Sequence, residues 1–315
     1  MRSHDYYEHP VFLPFELLIR SPAMSHIQEK LTCLIWNGAT GAVIEGEARH
    51  GKTTALEFIQ KKLCSRDGEI IPSHWFTVPS LDRQTINATY RSLLVSADLR
   101  VTNAMRVEPM ISNLISYILD KVSKSKNKRF ILIADEGQRL SPKQCDVFSQ
   151  LHDCLRKQYK IHLCLILIVN TDEAKHLIEL VQHREYRHVY GRFFTNRMQF
   201  HGLRNVKEVK DCLKQYDTLR YPYPNGPTYT EYFLPEPYSS GWRYANASSC
   251  LWKVFSEYRR EYMLEYWGMQ YFINTVNTLL IDFLPKYSVE NLSPEMVRRA
   301  IGTSGLVPGL VRARA

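Results

Sequence analysis

No apolar run in this sequence is long enough to span a bilayer. The longest, Ile161 to Val169, contains His162 and has the length of a strand. The opening residues, Met1-Arg-Ser-His-Asp-Tyr-Tyr-Glu-His-Pro, are polar and lack the apolar core of a secretory signal. No C-x-x-C pair occurs among the seven cysteines, at 33, 64, 145, 154, 164, 212 and 250. Their scatter argues against a cysteine metal site. Their apolar surroundings predict buried free thiols in a reducing cytoplasm. There is no internal repeat and no long low-complexity segment. Acids are outnumbered: 32 Asp and Glu against 41 Lys and Arg leave a net charge of +9. That balance suits a polyanion such as nucleic acid, and equally a generally basic soluble protein. A length of 315 residues, with 44% hydrophobic and 23% charged residues, fits a globular chain of one large or two smaller domains.

What is present begins with Gly46-x-x-x-x-Gly51-Lys52-Thr53, a complete P-loop pattern. Ala42 to Glu45 reads as a buried strand before it. Thr53 to Leu63 reads as a helix after it, with Leu56, Ile59 and Leu63 on one face. Backbone N–H groups of Gly46, Glu47, Ala48, Arg49, His50, Gly51, Lys52, Thr53 and Thr54 can then turn toward phosphates, aided by the helix N-terminus. Lys52 is expected to reach the β- and γ-phosphates, and the Thr53 hydroxyl to ligate magnesium. The alternative is an unliganded glycine turn.

A second key piece is Phe130-Ile-Leu-Ile-Ala-Asp135-Glu136. Apolar residues running straight into acids predict a central parallel strand whose carboxyl end faces a ligand. This is a Walker B signature. Asp135 is expected to hold magnesium through water, and Glu136 to orient and polarise the attacking water. A merely solvated Asp-Glu turn is the other reading. Ile161 to Val169 predicts a further buried strand, ending at Asn170-Thr171-Asp172. A polar side chain there, Asn170 ahead of Thr171, can contact the γ-phosphate or the attacking water; it can also simply make a turn.

Around these pieces the pattern is mostly helical. Ser21-Pro22 and Ser141-Pro142 start helices. Ser73 to Val78 is a strand, Ser80 to Ala97 a helix, and Ile111 to Val122 a strongly amphipathic helix. Met198 and Phe200 suggest a last strand, and a helix starts at Asn205. Tyr216 to Ser240, rich in Tyr, Pro, Gly and Asn, reads as irregular. One long helical stretch then runs from Leu251 to Trp267, a second from Met269 to Leu284, and a short one from Glu290 to Ile301. The aromatics of this last third read as core. The expected organisation is an N-terminal arm at 1–29, an α/β core at 30–204, and a helical lid at 205–315 with a Tyr/Trp-rich insertion and a basic tail.

The order of P-loop, second strand, two helices, Walker B, helix, polar strand end, arginine and helical lid resembles the AAA+ class. The resemblance implies a P-loop NTPase with a central parallel sheet flanked by helices and a helical C-terminal lid. It makes Asn170 the sensor 1 residue. It also implies an arginine, just before the last strand, that reaches the γ-phosphate of a neighbouring subunit. Arg192, in Gly191-Arg-Phe, fits best, with Arg187 and Arg197 as alternates; a guanidinium is always charged and bidentate. The competing role for Arg192 is an ion pair within its own subunit. Walker B as Ile-Ala-Asp-Glu-Gly-Gln-Arg-Leu-Ser-Pro, Asn-Thr-Asp-Glu-Ala at the sensor, and Gly-Arg-Phe downstream look like the transposition regulators TnsC, TniB and MuB. That likeness covers about residues 30 to 215.

Such proteins polymerise on duplex DNA with ATP, link a target selector to a transposase, and leave on hydrolysis. The resemblance therefore implies ATP and Mg2+ as cofactors. It implies double-stranded DNA, a self-assembled ring or filament, a transposase and a target selector as partners, and no membrane. It implies a bacterial cytoplasmic location on DNA. The matching DNA-facing segment is Arg100-Val-Thr102-Asn103-Ala-Met-Arg106, which could hold phosphates without reading bases; ordinary loop solvation is the rival. Two other functions fit the core. One is an AAA+ or STAND-like signalling or defence ATPase acting on proteins. The other is a small-molecule P-loop kinase, which Asp135-Glu136 argues against.

Overall fold

A computed structural model describes residues 6–13, 16–80, 85–102 and 104–307. Asn103 and the basic tail lie outside them. Packing divides the chain into two units. One holds His26–Ala48 and Lys52–Phe200. The other holds Met1–Ser25, Arg49–Gly51 and His201–Ala315.

The first unit is built on a five-stranded sheet. Its strands are β1 (Gly41–Gly46), β2 (Ser73–Thr77), β3 (Arg129–Asp135), β4 (His162–Asn170) and β5 (Arg197–Gln199). Their order is β2-β3-β4-β1-β5, and every pairing is parallel. Parallel sheets are covered on both faces, so their strands are apolar throughout rather than alternating. β1 is buried along its whole length, and β3 from Phe130 to Asp135. Phe130, Leu132 and Ala134 point to one face, in a core that also holds Phe76, Tyr90 and Phe148. The register decides what meets at the carboxyl ends. Gly46 stands opposite Asn170, and Thr77 opposite Asp135.

The helices here are α1 (Pro22–Trp36), whose first turn falls in the second unit, α2 (Lys52–Gln60), α3 (Ile86–Ser96), α4 (Val107–Ser123), α5 (Pro142–Tyr159) and α6 (Thr171–Gln182). Their starts are chemically specified. Thr85 caps α3, and Ser141 with Gln144 forms a capping box on α5.

The second unit is mostly helical: α7 (Val206–Tyr216), α8 (Ser248–Tyr262), α9 (Met269–Thr278) and α10 (Pro294–Thr303). Its aromatics are core, with Tyr216, Tyr244, Phe255 and Trp267 fully buried. Three expectations change here. The stretch expected to be irregular contains short helices at Tyr229–Phe233 and Pro235–Ser239. The first is started by a capping box of Thr228 and Glu231, hidden among tyrosines and prolines. The helix expected to reach Trp267 stops at Tyr262, because Met263 turns left-handed at φ 55. The chain then extends so that Trp267 pairs with Leu203. The next helix widens into a π-turn over Leu279–Phe283 just before Pro285, which has no N–H to continue the ladder. The thiols also depart from expectation: all are free, but Cys33 is exposed, and only Cys145, Cys164 and Cys212 are fully buried. Among the described residues no helix is long and apolar enough to cross a membrane.

One arm residue yields a pH prediction. The His9 ring is wholly buried, with ring centres of Tyr221, Tyr229, Tyr232 and Phe233 between 4.4 and 4.9 Å away. Its Nδ1 accepts the Val11 N–H, and its Nε2 has no hydrogen-bond partner among the described residues. Burial disfavours the imidazolium and pushes the pKa down to about 4. The unfolded chain then binds the proton first as pH falls. His9 therefore contributes nothing adverse at neutral pH, and its contribution is lost as pH drops from 6.5 toward 4. About 2–3 kcal/mol of stability should disappear between pH 7 and pH 4.5 on this account. Urea titrations at both pH values should give a clearly smaller pH difference for His9→Phe. Equal pH differences in the two proteins would rule out a role for His9.

Candidate nucleotide site

β1 delivers the chain into the loop, and α2 takes it out at Lys52. At the loop's entry Gly46 is obligatory: a Cβ there would collide with the Phe200 carbonyl oxygen. At its exit Gly51 has φ 91, open to glycine and costly for other residues. Arg49 is also left-handed, at φ 63. Within the second unit, Arg49 Nη1 donates to the Tyr271 hydroxyl at 3.0 Å, and its carbonyl accepts the Gln270 N–H at 3.3 Å. Glu47, Ala48, Arg49, Thr53 and Thr54 are exposed, while Gly46 and His50 are buried.

Lys52 folds back over the loop. Its Nζ donates to the Gly46 carbonyl at 2.6 Å and the Glu47 carbonyl at 2.7 Å. Burial lowers its pKa, opposed by Asp135, Glu136, Glu47 and Glu173, so a cation sits amid four acids. Thr53 Oγ1 donates to Asp135 Oδ2 at 3.1 Å. Asp135 is buried, which raises its pKa; the Glu136 N–H and the Thr53 hydroxyl, bonded to the carboxylate, pull it back down. A hydroxyl beside a carboxylate at a helix start is a hard-oxygen pair of the kind Mg2+ takes. No group of three or more His, Cys, Asp or Glu among the described residues is arranged to hold a metal. None is required, because Mg2+ on a nucleotide needs only one or two protein oxygens.

Glu136 follows in the left-handed region, at φ 58, and opens the tight turn Gly137–Arg139. Its Oε2 takes the Gln138 Nε2 donor at 2.9 Å and pairs with Arg139 at 3.0 Å. Arg139 also donates to the Val78 carbonyl. Gln138, Arg139 and Glu173 were not singled out as functional from the sequence. The only cue was their closeness to Asp135-Glu136 and to Asn170. Asn170 ends β4, and its Oδ1 accepts the Asp172 N–H at 3.2 Å, capping α6.

The arginine candidates separate clearly. Arg192 donates to the Ser149 carbonyl and pairs with Asp153 at 3.1 Å. Arg197 forms a two-pronged pair with the buried Glu45 of β1. Arg187 is exposed, with no ion pair or side-chain hydrogen bond among the described residues. Arg100, Thr102 and Arg106 are all exposed in the connection from α3 to α4. The Thr102 carbonyl accepts from Arg91 at 3.1 Å, and Arg106 precedes the first turn of α4.

Residues 37–178 match the model of the AAA domain family. No match is found among curated proteins. Among solved structures, the chain is similar to the ADP form of the ORC2 protein of Aeropyrum pernix, at 12% identity over 92% of this chain and 70% of that one, with a TM-score of 0.57. It is similar to the A. pernix ORC1 protein in complex with DNA, at 13% identity, 93% and 68% coverage, and a TM-score of 0.52. It is also similar to a Walker-type ATPase of Pyrococcus abyssi, at 14% identity, 95% and 76% coverage, and a TM-score of 0.52. Loop, Walker B strand and sheet order thus meet in one reading: this chain has the AAA+ P-loop fold and is an ATPase.

Proposed function

We propose that this ATPase is a nucleotide-switched DNA-binding assembly factor, similar in role to the transposition regulators TnsC, TniB and MuB. One observation carries the DNA part. The turn between α3 and α4 projects Arg100 and Arg106 into solvent on a chain of net charge +9. Exposed arginines hold phosphates in any sequence, so the binding is non-specific. That the similar ORC1 protein was solved in complex with DNA is in keeping with this.

In this reading Lys52 and the loop N–H groups hold the ATP phosphates, while Thr53 and Asp135 hold Mg2+. Held there, Mg2+ would supply charge neutralisation on the phosphates. Glu136 accepts the proton of the attacking water, and Asn170 stands at the end of the neighbouring strand as sensor. An arginine from a second copy completes the site. Arg192 fits the motif but must first leave Asp153, and Arg197 must leave Glu45. Arg187 has no ion pair to leave among the described residues. Subunits join with ATP, hold duplex DNA, and part after hydrolysis; a transposase and a target selector read the assembled state.

The test is fluorescence anisotropy on an arbitrary duplex at moderate salt, with and without ATP. Binding should require ATP and be indifferent to sequence. Replacing Arg100 or Arg106 by alanine should each lower the salt slope by about one. Nucleotide-independent or absent DNA binding would overturn the proposal and favour an ATPase acting on protein partners.

A further inference from the structure

Gln138 lies outside the P-loop and Walker B pair, yet its side chain touches three elements of the site. Its Nε2 donates to Glu136 Oε2 at 2.9 Å and to Glu173 Oε2 at 3.1 Å. Its Oε1 accepts the backbone N–H of Asn170 at 3.2 Å. Two carboxylates on the nitrogen side and an N–H on the oxygen side fix which way the amide points. The backbone beneath is equally constrained. A Cβ at Gly137 would stand 3.2 Å from Val169 Cγ1 and 3.4 Å from the Ile168 carbonyl oxygen, so the turn sits closely on the end of β4.

We propose that Gln138 is a positioning residue for ATP hydrolysis, fastening the Glu136 carboxylate to the start of α6. The inference rests on the reading of Glu136 as the group that activates water. Gln138 hydrogen-bonds Oε2, the oxygen that also lies nearest the Arg139 guanidinium, and among the described residues no hydrogen bond reaches Oε1. The carboxylate is thereby held by one oxygen and presents the other, which takes the proton from water as the oxygen–phosphorus bond forms and the γ-phosphoryl group leaves ADP. Arg139 cannot substitute for this. It ties Glu136 toward Val78 at the end of β2, whereas Gln138 ties it to the Asn170 end of β4. A shift of α6 therefore reaches the water-activating oxygen through one amide.

The test compares Gln138→Leu, Glu136→Gln and the double variant in single-turnover ATP hydrolysis, with binding of a fluorescent ATP analogue measured alongside. Gln138→Leu keeps the bulk and removes both bonding functions. Turnover should fall about tenfold through lost alignment, with nucleotide affinity within about twofold of wild type. The double variant should be no slower than Glu136→Gln alone, because a residue acting only through Glu136 has nothing left to position. Losses that multiply in the double variant would overturn the proposal, as would a wild-type rate for Gln138→Leu. Wild-type hydrolysis by Glu136→Gln would instead overturn the role given to Glu136. Should Gln138→Leu fold poorly, Gln138→Met supplies the same comparison.

Discussion

Glu136→Gln should bind ATP normally and hydrolyse it about a hundredfold to ten-thousandfold more slowly, the range that loss of a general base produces. The glutamine has the same shape, and its side-chain oxygen can still accept from Gln138 and Arg139, so the turn over Gly137–Arg139 should persist. What disappears is basicity at the second oxygen. In the proposed function nucleotide binding falls instead to the loop, Lys52 and Thr53; the Lys52 and Thr53 side chains donate to Gly46, Glu47 and Asp135. Single-turnover hydrolysis and binding of a fluorescent ATP analogue separate the two quantities. In the proposed function the same variant should stay on DNA long after wild type has left, visible as a slow dissociation phase after dilution. Near-normal hydrolysis would remove Glu136 from the mechanism.

Lys52→Ala should act one step earlier. The ammonium is held by the Gly46 and Glu47 carbonyls and must deliver its charge to the phosphates. Charge-assisted hydrogen bonds are worth about 1.5–3 kcal/mol each, so losing such contacts should weaken ATP binding about a hundredfold. The acids near Lys52 make the loss worse, because Asp135, Glu136, Glu47 and Glu173 then face the phosphates without their counter-charge. Far-UV circular dichroism should be unchanged, since the sheet and its core do not involve this side chain. Wild-type ATP affinity in Lys52→Ala would contradict the assignment of the loop. Together the variants divide the site: one loses binding, the other turnover.

The candidate nucleotide site could be read as a candidate because its parts are local in sequence. Glycines at 46 and 51 are demanded by a carbonyl's approach and a left-handed turn, and the Walker B acids follow an unbroken apolar run. The helix starts at Ser21-Pro22, Ser141-Pro142 and Asn205 were readable because a cap or a proline announced them. What could not be read was side-chain pairing across the fold. Arg192, Arg187 and Arg197 look alike in sequence, and only tertiary packing gives two of them carboxylate partners. Gln138 was invisible for the same reason, since its value lies in reaching Asn170 from the next strand. The Tyr216–Ser240 stretch misled because composition suggests loop while Thr228 and Glu231 quietly start a helix.

Glu136 also carries a cost that has nothing to do with its charge. A left-handed backbone disfavours any residue with an ordinary side chain by about 1 kcal/mol or more, and favours glycine and asparagine. Glutamate at 136 is therefore a poor choice for folding, which the proposed role in activating water would account for. A copy of this gene released from selection for turnover should drift first at this codon, toward asparagine or glycine. A laboratory screen for thermal tolerance should recover the same changes, and with them proteins that grip nucleotide and no longer let go.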